Sequence, residues 1–370
     1  MLVTILGWIF GLLFLGLAVF SMLAGRLVPG LIALLPVLLL LPPIRNYAHS
    51  LIGFTLPWWA RSILVMASFF VYFYVLMIVA SGFEGVYATP EIRTQHLQIY
   101  DQKMEQWPTA FEDVYVDTTY GKAHVIVSGP EDAPPMLLLN AAAMSGWSWL
   151  YNVGEFNTEY RTYAIDTIGE VGKSQLKDSL VYPPDGKAYA DFHVEISDAL
   201  GIEKAYVVGA SFGGYMATAY TMHYPERVEK LALLGPMGMT PQTTMTALRI
   251  MFVQLYPFKS IQNSTVSWAL GDDPYVLEET EDWFRVVLTS TIPRESRPPT
   301  STPQELQGIE VPVLLVIGTR DALTGDPQRV IDLAESTPDI QIEVLDSGHL
   351  IGVEKAHRSN ELIMEFFATD

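Results

Sequence analysis

Residues 205–224, AYVVGASFGGYMATAYTMHY, decide the fold. They pass from an apolar segment typical of a buried strand, through the pentapeptide GASFG (209–213), into an apolar segment typical of a helix. G-x-S-x-G in this context places a serine hydroxyl on a tight, exposed turn, and small neighbours let strand and helix approach each other. We therefore predict Ser211 as a nucleophile and the Phe212 amide as a donor to the oxyanion of a tetrahedral intermediate. The alternative is a glycine-rich turn with an incidental serine.

A serine hydroxyl attacks efficiently only when a base takes its proton, and a carboxylate usually orients that base. The apolar segment 311–318 ends shortly before Asp321, and the segment 340–346 is followed by His349. Because the carboxyl ends of parallel strands meet at one edge of a sheet, both side chains are expected beside Ser211. We predict that His349 deprotonates Ser211 and that Asp321 orients His349.

Other residues compete for the two supporting roles. Asp326 lies further into its loop than Asp321, and Asp346 is very close to His349 in sequence, so both carboxylates are weaker candidates. The remaining histidines lie in the N-terminal region, in the segment after it, in a strand or in helical segments, where packing or surface roles are expected: His49, His96, His124, His193, His223 and His357.

Strand-like and helix-like segments alternate from residue 111 onward. The stretch 111–129 reads as a hairpin that turns at Tyr120-Gly121. Continuous apolar runs, which are typical of strands buried on both faces of a mainly parallel sheet, follow at 135–140, 161–166, 204–210, 228–235, 311–318 and 340–346. The pattern predicts an α/β protein.

The serine turn and the loops of Asp321 and His349 resemble the α/β-hydrolase superfamily over roughly residues 111–368. The resemblance implies a mostly parallel eight-stranded sheet with helices on both faces and a helical cap at about 237–306. A serine at this turn, rather than an aspartate, makes a dehalogenase or an epoxide hydrolase an unsuitable match. No metal and no organic cofactor is implied.

Two loops of the chain depart from the family pattern. The resemblance implies that Ala142, after the strand at 135–140, supplies the second oxyanion amide, but Asn140-Ala141-Ala142 stands where many members have His-Gly. Residues 166–174 resemble the D-x-x-G-x-G-x-S stretch of the family with one extra residue. We expect this second loop to shape the site.

Charge is distributed unevenly along the 370 residues. The net charge is −19, and residues 1–83 contain three arginines and no acidic residue, which leaves −22 for the rest of the chain. Such an acidic region repels phosphate backbones, so nucleic acid is not expected as a partner. The absence of cysteine excludes disulfides, thiolate metal sites and a cysteine nucleophile.

Residues 1–83 are strongly apolar and predict a membrane anchor in contact with the lipid bilayer. The predicted spans are 2–25, 27–43 and 62–81, although prolines in the second segment also allow a re-entrant path. An amphipathic connector helix is predicted within 84–110, and the α/β domain within 111–370. A cleaved signal peptide is the less favoured alternative, because more apolar sequence follows the first run.

The expected location is a multi-pass one, in the plasma membrane. With three crossings, the arginines favour a catalytic domain on the outside, whereas a re-entrant second segment would reverse this assignment.

Taken together, these features predict a membrane-anchored serine hydrolase that cleaves an ester or a related hydrophobic acyl compound through an acyl-enzyme. An acyltransferase or a carbon–carbon bond hydrolase with the same three residues is one alternative. A catalytically silent, membrane-tethered binding module is another.

Overall fold

The computed structural model describes residues 2–23, 27–52, 56–81, 86–178, 181–239, 259–271, 273–291, 299, 301–324 and 326–369. Two compact units divide the chain, one at Met1–Gly82 and the other at Phe83–Asp370. The predicted boundary between anchor and connector, at residues 83 and 84, falls next to this division.

The described residues of the first unit form helices α1 Leu2–Leu23, α2 Leu27–Leu40, α3 Pro42–Ile52 and α4 Trp58–Ser81. Glycines on α1 permit a close approach of the segment that ends α2: a Cβ on Gly7 would lie 2.9 Å from the Leu40 carbonyl oxygen, and one on Gly11 would lie 2.6 Å from the Leu41 side chain. A hydrogen bond of 3.0 Å joins the Ser21 and Tyr72 hydroxyl groups within the unit.

None of the helices in the described residues meets the length and apolar-content requirements of a membrane span. The predicted multi-pass location is wrong, and the predicted spans at 2–25, 27–43 and 62–81 and the predicted membrane partner find no support in the described residues. Part of the second segment forms a 14-residue helix, about 21 Å long and short of a hydrocarbon core of about 30 Å. Residues 24–26, at the end of the first segment, lie outside the described residues.

Apolar sequence in this unit was interpreted as lipid contact, but part of it is buried between helices. The buried apolar side chains include Phe14, Leu17, Ala18, Ala33, Val37 and Tyr72. Other large apolar side chains are exposed, among them Ile9, Phe10, Leu31, Trp58 and Phe70. Packing within the unit therefore explains only part of its apolar composition.

The second unit begins its regular structure with helix α5, Pro90–Met104. Thr89 caps it, since the Thr89 hydroxyl accepts a hydrogen bond of 3.3 Å from the Ile92 N–H. Within the predicted connector range, 84–110, this is the helical part, and it buries His96, Tyr100 and Met104.

In the described part of the chain, nine strands form one mixed sheet. They are β1 Phe111–Thr118, β2 Gly121–Ser128, β3 Pro135–Leu139, β4 Arg161–Ile165, β5 Gln175–Leu176, β6 Ala205–Ala210, β7 Val228–Leu234, β8 Val313–Gly318 and β9 Ile340–Leu345. Eight follow one another in the order β1-β2-β4-β3-β6-β7-β8-β9, antiparallel from β1 to β4 and parallel beyond, which confirms the predicted α/β sheet. The short β5, which was not predicted, pairs with β2.

Helical elements cover both faces of this sheet. They are α6 Val153–Phe156, α7 Gly186–Ala199, α8 Phe212–His223, α9 Lys259–Leu270, α10 Pro274–Ser290, α11 Pro303–Gln307, α12 Pro327–Ala334, α13 Ile351–Glu354 and α14 Ala356–Ala368, with 3₁₀ turns at Gly146–Tyr151 and Pro225–Arg227. Alternate residues of β3 enter different cores, Met136 and Leu138 on one face and Leu137 and Leu139 on the other. The sheet is therefore buried on both sides, as its continuous apolar strands require.

The predicted cap range, 237–306, contains α9, α10 and all but the last residue of α11. Residues 240–258, 272, 292–298 and 300 of that range lie outside the described residues. They include apolar residues of the cap for which the sequence favours a role in the cap's own core over contact with a substrate: Met245, Met251, Phe252, Tyr256 and Phe258.

A close backbone approach joins the start of α8 to the end of β3. A Cβ on Gly213 would lie 1.9 Å from the Leu139 carbonyl oxygen and 2.8 Å from the Asn140 carbonyl oxygen. These are backbone atoms, which cannot move aside as the end of a flexible side chain can. Only glycine therefore fits at this position.

We expect Gly213→Ala to lower the free energy of unfolding by about 1–3 kcal/mol or to prevent folding, because the added methyl group overlaps backbone. Gly154→Ala is the matched control, since its Cβ would meet only the Pro108 side chain, at 3.4 Å. Urea unfolding of both variants measures the difference. Equal stability of the two variants would contradict the close approach.

A charge network centred on the buried His124 ties the hairpin to the loop after β4. His124 Nδ1 lies 2.9 Å from Asp166 Oδ2, and His124 Nε2 lies 2.6 Å from Asp113 Oδ1. Burial lowers the pKa of His124, but attraction to Asp166 and hydrogen bonds to both carboxylates outweigh it and raise this pKa to about 9. The second oxygen of Asp166 accepts the Gly146 N–H at 2.7 Å. An imidazolium ion therefore anchors the loops on this side of the sheet at neutral pH.

This network predicts how stability depends on pH. A folded-state pKa of about 9, above the ordinary value of about 6.5, stabilises the fold fully below pH ~6.5, and the stabilisation is lost as the pH rises to about 9. The free energy of unfolding should fall across this window by up to about 1.4 kcal/mol per pH unit.

Urea unfolding of the parent protein and of His124→Gln at several pH values tests this expectation. His193→Gln is the control, because burial lowers the pKa of His193 to about 4 and leaves that ring neutral throughout the window. His193→Gln should keep the parent slope, whereas His124→Gln should lose most of it. A parent slope in His124→Gln would disprove the buried imidazolium.

Candidate active site

Ser211 lies at the turn between β6 and α8 with φ 51° and ψ −113°, a backbone conformation that residues other than glycine rarely adopt. Backbone contacts hold it there. The Ser211 N–H donates to the Leu234 carbonyl at 3.0 Å, and the Ser211 carbonyl accepts from the Met237 N–H at 2.9 Å. The turn is thus fixed by β7 and the loop that follows it.

The structure brings the predicted base and carboxylate to this serine. His349 Nε2 lies 2.7 Å from Ser211 Oγ, and His349 Nδ1 lies 2.8 Å from Asp321 Oδ2. Asp321 follows β8 and His349 follows β9, so neighbouring parallel strands deliver the two side chains to one edge of the sheet. All three residues are buried. The arrangement can pass a proton from the hydroxyl to the imidazole.

The Asp321 carboxylate is fixed by its own loop as well as by the histidine. Its Oδ1 accepts the N–H groups of Leu323 at 2.8 Å and Thr324 at 3.1 Å. Burial raises the pKa of Asp321, but the charge and hydrogen bond of His349 and the bonds from Thr324 outweigh burial and lower this pKa below its ordinary value. Asp321 is therefore ionised at neutral pH, as the orientation of His349 requires.

The two rival carboxylates are engaged elsewhere. Asp346 accepts a hydrogen bond of 2.8 Å from Arg320 Nε, and Asp326 caps α12 by accepting from the Gln328 N–H at 3.0 Å. Neither carboxylate is the hydrogen-bond partner found for His349, which is Asp321.

The predicted oxyanion donors lie at the start of α8 and in the loop after β3. Phe212 is the first residue of α8, where N–H groups lack partners within the helix. Ala142 is half-buried in the loop after β3. The next residue, Ala143, has φ 62°, in the left-handed region that glycine adopts most readily. The role of each amide stays a prediction.

A small cavity of about 30 Å³ opens beside Ser211 and His349. Its other lining residues are Ala141, Met144, Ser148, Trp149, Asn152, Ala210, Leu234, Leu350, Ile351, Gly352 and Val353. Sequence reasoning missed nearly all of them, although the aromatic stretch GWSWLY (146–151) directly after the loop of Ala142 was a usable signal. The lining is mainly apolar, which suits the hydrocarbon part of an acyl group.

Cap residues described here mostly serve internal packing. Trp283 and Phe284 of α10 are buried in the core on one face of the sheet, and Met239 belongs to the core on the other. This favours a structural role for these three side chains over direct contact with a substrate.

Comparisons with known proteins agree with this architecture. A family model described as alpha/beta hydrolase fold matches residues 134–260. The uncharacterized carboxylesterase nap of Bacillus subtilis is 31% identical over 285 residues, which cover 74% of this chain and 92% of that protein. The crystal structure of carboxylesterase CesB (YbfK) from Bacillus subtilis superposes with a TM-score of 0.69 at 29% identity, covering 75% of this chain and 99% of the other.

A second solved structure, naproxen esterase (carboxylesterase NP) from Bacillus subtilis, has a TM-score of 0.68 at 29% identity and covers 74% of this chain and 97% of its own. The similarity thus extends over nearly the full length of each relative. The chain belongs to the α/β-hydrolase family and is a hydrolase of this type, as the sequence predicts.

Proposed function

We propose that this chain hydrolyses carboxylic esters through Ser211, His349 and Asp321. The observation that carries the proposal is the continuous hydrogen-bonded series from Ser211 Oγ through both ring nitrogens of His349 to Asp321 Oδ2, at 2.7 and 2.8 Å. The names of the carboxylesterase relatives support the ester as substrate class.

In the proposed reaction His349 Nε2 takes the Ser211 proton while the serine oxygen attacks the ester carbonyl. The Phe212 and Ala142 N–H groups would stabilise the negative oxygen of the tetrahedral intermediate. The imidazolium, oriented by Asp321, then gives its proton to the leaving alcohol and an acyl-serine remains. Water activated by the same histidine releases the carboxylic acid and restores Ser211.

The cavity supports a short acyl group. Its volume of about 30 Å³ is about two to three times the space that a single water molecule needs. Met144, Trp149 and Leu350 are buried side chains that limit it. A long acyl chain could enter only if these side chains or the cap moved.

Two other functions use the same scaffold. Transfer of the acyl group to an acceptor other than water, or cleavage of a carbon–carbon bond, would require the same three residues, and product analysis with an added alcohol separates these reactions from hydrolysis. A catalytically silent binding module has less support, because the hydrogen-bonded geometry at Ser211 is complete.

A series of p-nitrophenyl esters from acetate to octanoate tests the proposal. We expect kcat/KM to fall at least about ten-fold from butanoate to octanoate, since each added methylene must fit a confined apolar site. Ser211→Ala should lower kcat by about 10⁶-fold and abolish labelling by a serine-directed phosphonate.

The matched control is Ser336→Ala, which removes a hydroxyl that donates to the Leu333 carbonyl in the last turn of α12. It should keep the parent rates. If the Ser211→Ala protein is folded and retains esterase activity, Ser211 is not the nucleophile.

A further inference from the structure

Ala143 is held by side chains at both of its backbone polar groups. Its N–H donates to Glu170 Oε2 at 2.8 Å, and its carbonyl accepts a hydrogen bond of 2.7 Å from the Trp283 indole Nε1. Glu170 comes from the loop after β4, whereas Trp283 comes from α10 in the cap range. Side chains from two separate segments therefore converge on one residue.

This residue needs such support. Its φ of 62° lies in the left-handed region, where the Cβ of an alanine is crowded and glycine is not. Ala143 also directly follows Ala142, the candidate donor to the oxyanion. Any relaxation of Ala143 toward an ordinary φ would rotate the peptide group between Ala142 and Ala143 and so change the conformation of the loop that carries Ala142.

Trp283 is in turn fixed by aromatic rings around it. The His96 ring lies 3.7 Å from it between centroids, the Trp147 ring 5.2 Å and the Tyr100 ring 6.4 Å. His96 and Tyr100 belong to α5, which precedes the sheet. Burial lowers the pKa of His96 to about 3, so the ring against the indole is uncharged at neutral pH.

One turn earlier on α10, a second contact docks the same helix. Glu279 accepts hydrogen bonds from Lys103 Nζ at 2.5 Å and from the Tyr151 hydroxyl at 2.7 Å. Lys103 lies on α5, and Tyr151 ends the 3₁₀ turn that contributes Ser148 and Trp149 to the cavity. The surrounding aromatic rings and the Glu279 contacts thus together fix the position of the Trp283 indole.

We infer that Trp283 and Glu170 are positioning residues that hold the loop of residues 140–144 in the conformation in which the Ala142 N–H can bind the oxyanion. The inference rests on the proposed function. Neither side chain needs to touch the substrate, because both act on Ala143. In this chain the hydrogen bonds of the two side chains stabilise a left-handed conformation at Ala143 that a glycine would adopt without support.

A loop that acts on the oxyanion affects the transition state more than the bound ester. We therefore expect Trp283→Phe, which removes the indole N–H and keeps an aromatic ring, to lower kcat about 10- to 100-fold and to change KM by less than about two-fold. Loss of a complete oxyanion donor costs about 10²–10³ in kcat, which sets the upper limit. Glu170→Met should act in the same direction.

The experiment measures kcat and KM with p-nitrophenyl acetate, the inactivation rate with a serine-directed phosphonate, and unfolding in urea. Trp107→Phe is the matched control, because it also removes an indole hydrogen bond, of 3.2 Å to Ser128 Oγ, but leaves the loop of Ala143 untouched. Ala143→Gly combined with Trp283→Phe should recover part of the lost kcat, since glycine adopts the left-handed conformation without support.

Parallel losses in kcat and in the inactivation rate, absent in Trp107→Phe and partly reversed by Ala143→Gly, would support the inference. A Trp283→Phe protein that unfolds more easily but keeps the kcat of Trp107→Phe would overturn it, as would a loss confined to KM. If Glu170→Met does not fold, Trp283→Phe alone decides. An active Ser211→Ala protein would instead refute the proposed function itself, so the two failures are distinguishable.

Discussion

The unfavourable backbone conformation of Ser211, φ 51° at the junction of β6 and α8, is the constraint on which the site depends. It is maintained by hydrogen bonds to Leu234 and Met237 and by the close approach of Gly213 to the Leu139 carbonyl. Because β6, β7, β8 and β9 are parallel neighbours, the loops after them reach the same edge of the sheet. Strain at one residue is thus compensated by the packing of four strands, and the hydroxyl is presented to His349 at 2.7 Å.

Two buried carboxylates beside the sheet are each compensated by partners that the fold supplies. Asp321 is paired with His349 and two backbone N–H groups, and Asp166 with His124 and the Gly146 N–H. The second network holds the start of a 3₁₀ turn that lines the cavity, since Gly146 begins the turn that contributes Ser148 and Trp149. The fold therefore uses one ion pair for the proposed chemistry and another to fix the surrounding loops.

Local sequence patterns predicted the parts of the molecule that local physics determines. The apolar runs gave the strands, the motif around Ser211 gave the strand-to-helix turn, and chain order gave Asp321 and His349 at strand ends. Contacts between distant segments could not be predicted in this way: the pairing of β5 with β2, the position of Trp283 against Ala143 and the charge on His124 depend on tertiary packing. The membrane location was predicted from hydropathy, which measures apolar composition and does not distinguish residues that pack against other helices, such as Phe14 and Tyr72, from residues that are exposed, such as Ile9 and Phe70.

The most direct test of the central claim is to trap the acyl-enzyme. The protein would be mixed with p-nitrophenyl trimethylacetate, whose acyl group is released slowly, quenched in acid, and digested for mass spectrometry. The account predicts one trimethylacetyl group per chain, on the peptide that contains Ser211 and on the Ser211 oxygen itself. An acyl group on another residue, or turnover of the ester with no acylated protein at any time, would contradict it.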